Sequence, residues 1–249
     1  MPIVLKSEKE IAIMRRAGQI NATVLKILAE HVRPGVVEME LDQIVRKEFA
    51  SRGVQPTFLN YRGYPATVCV SINDEIVHGI PGERVIREGD VVSLDLGCTY
   101  KGFVGDAALT VAAGEASAEV RRLIDVTRGA LQRGIAQSRA GKRVGEIGAA
   151  IQEYVESEGF SVVREYVGHG IGRQMHEDPP IPNYGPADKG PVLRKGMVIA
   201  IEPMVNMGDW RTKCDPDKWT VRTLDGSLSA HFEHTVAITD GEPEVLTIS

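Results

Sequence analysis

An α+β chain built from two similar halves is what this sequence predicts, and three observations predict it. Amphipathic helix patterns followed by short β-branched runs occur twice along the chain. The glycines bracketing one helix of each half are equally spaced, Gly35 to Gly53 and Gly141 to Gly159 both being 18 positions apart. Acidic residues stand at the ends of apolar strand patterns in both halves, each six positions after a glycine: Gly89 to Asp95, and Gly196 to Glu202.

Taking the elements in order, Ser7 and Glu10 form the Ser-x-x-Glu signature of a capped helix start. Ile13, Ala17, Ile20, Val24 and Leu28 follow at helical spacing, and Pro34-Gly35 ends the run. Leu41, Ile44, Val45 and Phe49 make a second amphipathic face that stops at Gly53. From Thr67 the texture changes to TVCVSI, IVHGI, DVVSLDLG and DAALTVAAG, strands separated by turn residues. The second half repeats the order. A helix is expected from Val120 to Ser138, and another through Ile147, Ala150, Ile151, Tyr154 and Val155. The strands FSVVREYVG, MVIAIEPMV, WTVRTL and HFEHTVAIT come next, the last after an Asp225-Gly226 hairpin signal. His78-Gly79-Ile80 in the first half is echoed by His169-Gly170-Ile171 in the second.

Composition bounds the function. The 249 residues are 43% hydrophobic and 25% charged, an ordinary globular mixture long enough to bury a core. Lys and Arg number 29 against 34 Asp and Glu, a net charge of −5, which disfavours a surface made to neutralise phosphates, so no specific nucleic-acid partner is expected. Cys69, Cys98 and Cys214 are odd in number and form no CxxC pair, which fits free thiols in a reducing compartment. The first residues, MPIVLK, do not read as a signal peptide, and no apolar run approaches the roughly 20 residues of a membrane span. The expectation is a cytoplasmic chain with no membrane association. No long polar linker divides it, so residues 1–249 are read as a single catalytic domain with halves at roughly 10–115 and 116–240. The turn-rich stretches 185–196 and 206–218 read as pocket-edge loops.

Acids inside apolar strands are the strongest local anomaly, since a buried carboxylate must be paired, protonated or bound to metal. Four are placed this way: Asp95, Asp106, Glu202 and Glu233. Strand alternation sets Ser93, Asp95 and Gly97 on one face, and His231, Glu233 and Thr235 on one face. Lys and Arg are absent from these strand interiors, so two close divalent ions sharing carboxylates are the economical counter-charge. His169, in GHGIG, is the best nitrogen donor; His176 and His78 are further candidates. His31 reads as a solvated helix-end residue, and His231 and His234 as either neighbours of the ligands or packed side chains. Neither a Gly-x-Ser-x-Gly elbow nor a His-Glu-x-x-His helix is present.

The ordered set Asp95, Asp106, His169, Glu202, Glu233 resembles the dinuclear centre of the pita-bread metallopeptidases. YRGYPATVCVSINDEIVHGIP, SLDLG, GHGIG with the following His176, and IEPM are similar to the type I methionine aminopeptidases over essentially the whole chain. The resemblance implies a curved antiparallel sheet backed by two helix pairs with pseudo-twofold symmetry. It implies a metal-dependent aminopeptidase that hydrolyses initiator methionine from nascent chains and peptides with a small second residue, by a water activated between two divalent ions (Co, Mn, Fe(II) or Zn). Asp106 and Glu233 would bridge the ions, Asp95 would hold one, and His169 with Glu202 the other. Glu202 would shuttle the proton, His176 would meet the carbonyl oxygen, and His78 would lie near the leaving nitrogen. Tyr61, Tyr64, Cys69 and Trp219 match the methionine pocket, with Met175 and Phe58 as departures that bear on its shape. Asn73 and Ser229 match a monovalent-cation site. A monomer with transient ribosome association is implied. The length leaves no room for the additional domain of X-Pro peptidases, so a bacterial-type enzyme is expected, with X-Pro cleavage or a non-catalytic binding module as rivals. With Pro2 second, the chain's own Met1 is expected to be removed.

Overall fold

Ser7 caps α1 (Glu8–His31) as its spacing to Glu10 predicts: the serine hydroxyl accepts from the Glu10 amide, and the Glu10 carboxylate accepts from the Ser7 amide at 3.0 Å. The chain turns at Gly35 into α2 (Glu38–Arg52), which ends on Gly53 with φ 65°. The strands β1 (Gln55–Pro56), β2 (Cys69–Ile72), β3 (Glu75–Val77), β4 (Val91–Tyr100) and β5 (Phe103–Ala112) complete the first half. Then come α3 (Ala118–Gln137), α4 (Val144–Ser157), β6 (Ser161–Val162), β7 (Gly168–Gly170), β8 (Glu177–Ile181) and β9 (Val198–Ile201). The chain continues through β10 (Met204–Asn206), β11 (Thr212–Cys214), β12 (Val221–Thr223), β13 (Ser229–His231), β14 (Glu233–Ala237) and β15 (Glu244–Val245). The computed structural model describes residues 2–249, so Met1, whose removal the sequence predicts, lies outside the described residues.

Among the described residues, a nine-stranded antiparallel sheet runs β1-β4-β5-β14-β9-β7-β8, with β2 also on β4 and β15 on β14. Two three-stranded sheets, β13-β10-β6 and β11-β12-β3, flank it. The helices cover one face as two pairs. Leu28, Leu41 and Phe49 of α1 and α2 bury against Val92, Leu94 and Leu96 of β4. Leu123, Ile147 and Ile151 of α3 and α4 bury against Ile199, Ile201 and Val236 of β9 and β14. Close approach of α1 to β5 depends on glycine, because a Cβ on Gly105 would lie 2.8 Å from the Gly18 nitrogen.

One turn occurs in both helix pairs. Gly35 and Gly141 have φ of 94° and 90°, and each donates its N–H at 2.9 Å, to the carbonyls of Ile86 and Leu193 respectively. Two residues after each glycine, the Val37 amide donates to the Glu40 carboxylate and the Arg143 amide to the Glu146 carboxylate.

Five sequence expectations are corrected. MVIAIEPMV breaks at Glu202-Pro203, with β9 in the large sheet and β10 in a three-stranded one. The strand expected through IVHGI stops at Val77, because His78 takes φ 61° and turns the chain. FSVVREYVG is strand only at Ser161–Val162 and at its last residue, Gly168, which begins β7. HFEHTVAIT breaks at Phe232: β13 pairs with β10, while β14 pairs with β5 and β9 in the large sheet. Asp225-Gly226 does not join two paired strands, since β12 lies between β11 and β3. The Asp225 carboxylate instead accepts from the Asp209 and Ser227 amides and closes a local loop. No described helix is long and apolar enough to cross a membrane.

Candidate metal centre

Strand register brings four of the five sequence-predicted donors to one face, and Glu202 follows just past a strand end. Residues directly opposite across antiparallel strands point the same way, and so do residues two apart on a strand. Asp95 pairs with Ala108, Ala108 pairs with Glu233, and Gly97 pairs with Asp106. Thr235, two residues past Glu233, pairs with Ala200, which pairs with His169. Glu202 stands two residues past Ala200, just beyond the end of β9. The helices occupy the other face, so this one is left to form a cavity.

Asp106, His169 and Glu233 each offer a donor atom within 4.8 Å of the others. The His169 Nε2 lies 3.5 Å from Glu202 Oε1 and 3.9 Å from Asp106 Oδ2. His169 Nδ1 is 2.9 Å from the Gly170 carbonyl, which only an N–H on Nδ1 satisfies. Nε2 therefore presents a lone pair toward two carboxylates. That arrangement is repulsive unless a cation or a proton stands between them, and it is the usual orientation of a metal-binding histidine.

The carboxylates repeat the argument. Asp106 and Glu233 are 2% exposed. Asp95 Oδ1, Asp106 Oδ1 and Glu233 Oε1 are buried without a hydrogen-bond partner among the described residues. No described Lys or Arg pairs with any of the four acids. Burial pushes Asp95 up to about 7. Asp106, Glu202 and Glu233 are raised well above the usual carboxylate range, first by burial and then by one another and Asp95. Burial holds His169 and His231 down at about 3, with His176 and His78 respectively as smaller contributions. Four oxygen donors and one imidazole with unsatisfied buried atoms fit divalent first-row ions.

The cavity beside these donors has a volume of about 160 Å³. Every residue assigned to the substrate side lines it: Tyr61, Tyr64, Cys69, His78, His176 and Trp219, together with Phe58 and Met175. Phe58, Tyr64, Cys69 and Met175 form a buried apolar cluster against which Tyr61 and Trp219 pack. Tyr64 meets Trp219 edge-on at 5.1 Å and donates its hydroxyl to the Gly79 carbonyl at 2.8 Å. His78 stands edge-on to Trp219 at 6.2 Å, and burial lowers its pKa to about 4. His176 Nδ1 is 2.8 Å from the Tyr61 hydroxyl, and its pKa is lowered by burial and then by Arg62. The Ser229 amide donates to the Asn73 carbonyl at 2.9 Å, which puts these two residues side by side.

Sequence reasoning missed Arg62, which lines the cavity with φ 50°. It set Thr235 on the face of Glu233 but gave it no role; its hydroxyl donates to the Asp106 carbonyl at 2.7 Å. Asn183, which donates to the Glu202 carbonyl at 3.0 Å, escaped notice too. Hydroxyl and amide residues are too common in strands and turns to signal such a role. His231, left open between two readings, is buried with Nε2 3.9 Å from Glu202 Oε2.

The pattern of metallopeptidase family M24 matches residues 12–240. Methionine aminopeptidase 1 of Bacillus subtilis is 49% identical over 245 residues, covering 98% of this chain and 99% of that protein. A methionine aminopeptidase of Aquifex aeolicus is 51% identical over 256 residues, covering 99% of each. The crystal structure of methionine aminopeptidase from Thermotoga maritima superposes with a TM-score of 0.98 at 46% identity, covering 100% of both chains.

Proposed function

This chain belongs to metallopeptidase family M24, and from that premise we propose how its residues carry out the reaction. It is a metal-dependent aminopeptidase that removes N-terminal methionine. The finer reading is hydrolysis of initiator methionine from nascent chains whose second residue is small. Residues 1–249 act as one catalytic domain, with Asp95 and Asp106 supplied by the first half (roughly 10–115) and His169, Glu202 and Glu233 by the second (roughly 116–240).

Asp106 and Glu233 would be shared by two divalent ions (Co, Mn, Fe(II) or Zn), Asp95 would hold one, and His169 with Glu202 the other. Such ions acidify a bound water and polarise the scissile carbonyl. Glu202 accepts the proton of the attacking water and returns it to the departing amine; its carboxylate faces both His169 and His231. The Tyr61 hydroxyl donates to His176 Nδ1, which leaves an N–H on Nε2 to donate to the carbonyl oxygen as negative charge grows there. His78, neutral at pH 7, accepts from the amide of the second residue. Phe58, Tyr61, Tyr64, Cys69, Met175 and Trp219 surround the methionine side chain, whose thioether gains from aromatic contact. Trp219 beside His78 bounds the space for the second residue.

A monovalent cation beside Asn73 and Ser229 belongs to the same reading; Asn73 stands in a left-handed turn with φ 62°. The free thiols Cys69, Cys98 and Cys214 support a cytoplasmic setting, and the enzyme acts as a monomer in transient contact with ribosomes.

The observation that carries the reading is the convergence of partnerless buried carboxylates with the His169 lone pair. Purified protein supplied with Mn, Fe(II) or Co should release methionine from Met-Ala-Ser and leave a peptide with a bulky second residue uncut. Faster cleavage of an X-Pro peptide than of Met-Ala-Ser would overturn it.

A further inference from the structure

Among the described residues, one buried ion pair lies outside the cavity, directly behind the segment that carries His169 and His176. Lys6 Nζ is 2.7 Å from Glu177 Oε2, with the two side chains 4% and 11% exposed. Lys6 reaches this place from 171 residues away in sequence. It is held there by its amide, which donates to the Gly196 carbonyl at 2.7 Å, and by its ammonium, which also donates to the Val4 carbonyl at 3.1 Å.

The surroundings are shaped to admit this lysine. A Cβ on Gly172 would lie 2.5 Å from Lys6 Cε, and one on Gly196 would lie 2.9 Å from the Lys6 carbonyl oxygen. Two glycines thus leave the space that the tail and its side chain fill.

Glu177 passes the restraint forward. Its other oxygen, Oε1, accepts from the Gln174 amide at 3.2 Å, closing the turn that presents Met175 and His176 to the cavity. Its backbone starts β8 and pairs with Gly170, the residue after His169, where the register shifts. One carboxylate oxygen therefore closes the turn, and the other ties that turn to Lys6. On the cavity side, His176 is held by the Tyr61 hydroxyl. On the far side, the polar anchor found here is the Lys6–Glu177 pair.

We propose that Lys6 is a positioning residue for the reaction: through Glu177 it fixes the turn that aims His176 into the cavity beside His169. The inference rests on the role of His176 given above, and a structural readout keeps the two separable. Outer partners that orient metal-ligating side chains typically change activity or metal affinity by about 10–100-fold when removed, and the same scale is taken for a turn that also pairs with the residue after His169. Leaving one member of a buried pair uncompensated also strains folding, so a neutral double variant accompanies the single ones.

Lys6→Met, Glu177→Gln and the double variant should be compared in two ways. With Mn supplied, each should cut Met-Ala-Ser with kcat lowered about 10–100-fold and KM little changed. The double variant should lose no more than the worse single, since all three break one interaction. In the metal-free proteins, the His176 imidazole resonances should shift while those of His31 stay in place. A purely structural pair would lower the melting temperature of the single variants and leave the His176 resonances unmoved. The proposal is overturned if the double variant keeps wild-type kcat and an unmoved His176. If wild-type protein fails on Met-Ala-Ser, the substrate reading falls, and the resonances still decide the role of Lys6.

Discussion

Alternate residues of β4 enter two different environments. Val92, Leu94, Leu96 and Cys98 are sealed against α1 and α2, whereas Ser93, Asp95 and Gly97 face the cavity side of the sheet. On the helix face, apolar burial stabilises the fold by roughly 1.5–3 kcal/mol per large side chain. On the cavity face, Asp95 joins Asp106 and Glu233 in holding buried oxygens with no partner, which opposes folding until a cation arrives. One strand thus stabilises the domain with one set of side chains and stores binding capacity in the other.

Substitution on each face should separate these roles most sharply. Asp106→Asn removes a donor without changing volume. Activity with Mn should fall by more than about a hundredfold, while the metal-free protein melts no lower than wild type because an acid whose ionisation burial and its neighbours oppose is gone. Leu94→Ala should do the reverse. A cavity against α1 and α2 costs about 2–5 kcal/mol in denaturant unfolding, with kcat of the remaining folded protein near wild type. Equal melting losses from both substitutions would break the comparison.

The pH dependence of stability sharpens it next. A carboxyl whose folded pKa lies above its unfolded value holds a proton only in the folded chain between the two values, so stability falls as pH rises through that window. Asp95 at about 7, with Asp106, Glu202 and Glu233 raised further, all act in this direction. The buried His169 and His231, at about 3, and His78, at about 4, act oppositely, but only below the ordinary histidine value of 6.5. Between pH 6.5 and 8 the carboxylates act without opposition from these histidines. Metal-free protein should melt at a lower temperature at pH 8 than at pH 6.5, and saturating Mn should flatten or reverse the slope. Calorimetry with and without chelator measures both; a flat metal-free profile would show the acids already compensated.

The same division explains what was legible in the sequence. Period-two alternation announced Asp95 and Asp106, because acids flanked by apolar neighbours have no other simple account. The cap at Ser7 and the glycines at 35, 53 and 141 were legible because their conformations are local. The break at Phe232 was not, since HFEHTVAIT alternates smoothly and only its exchange of β10 for β9 and β5 interrupts it. Nor was the Lys6–Glu177 pair, where a charge near one end of the chain meets another most of a chain length away. Arg62 hid for a different reason: in YRGY it reads as a turn residue, and nothing local says that its charge reaches His176.

That charge gives the smallest expected effect, on the cavity's outer rim. Burial is the larger cause of the lowered His176 pKa and Arg62 the second, so Arg62→Ala should raise it without removing the shift. In the role proposed for His176 the Tyr61 hydroxyl donates to an unprotonated Nδ1, so that role calls for the neutral imidazole. A higher pKa admits more of the charged form at acid pH and moves the acid limb of the kcat/KM profile upward, with the pH-independent plateau little changed. The Asp95 face and the Leu94 face should both be silent in this experiment. A loss at the plateau instead would mean that the guanidinium touches substrate directly, and the rim would then belong with the cavity face.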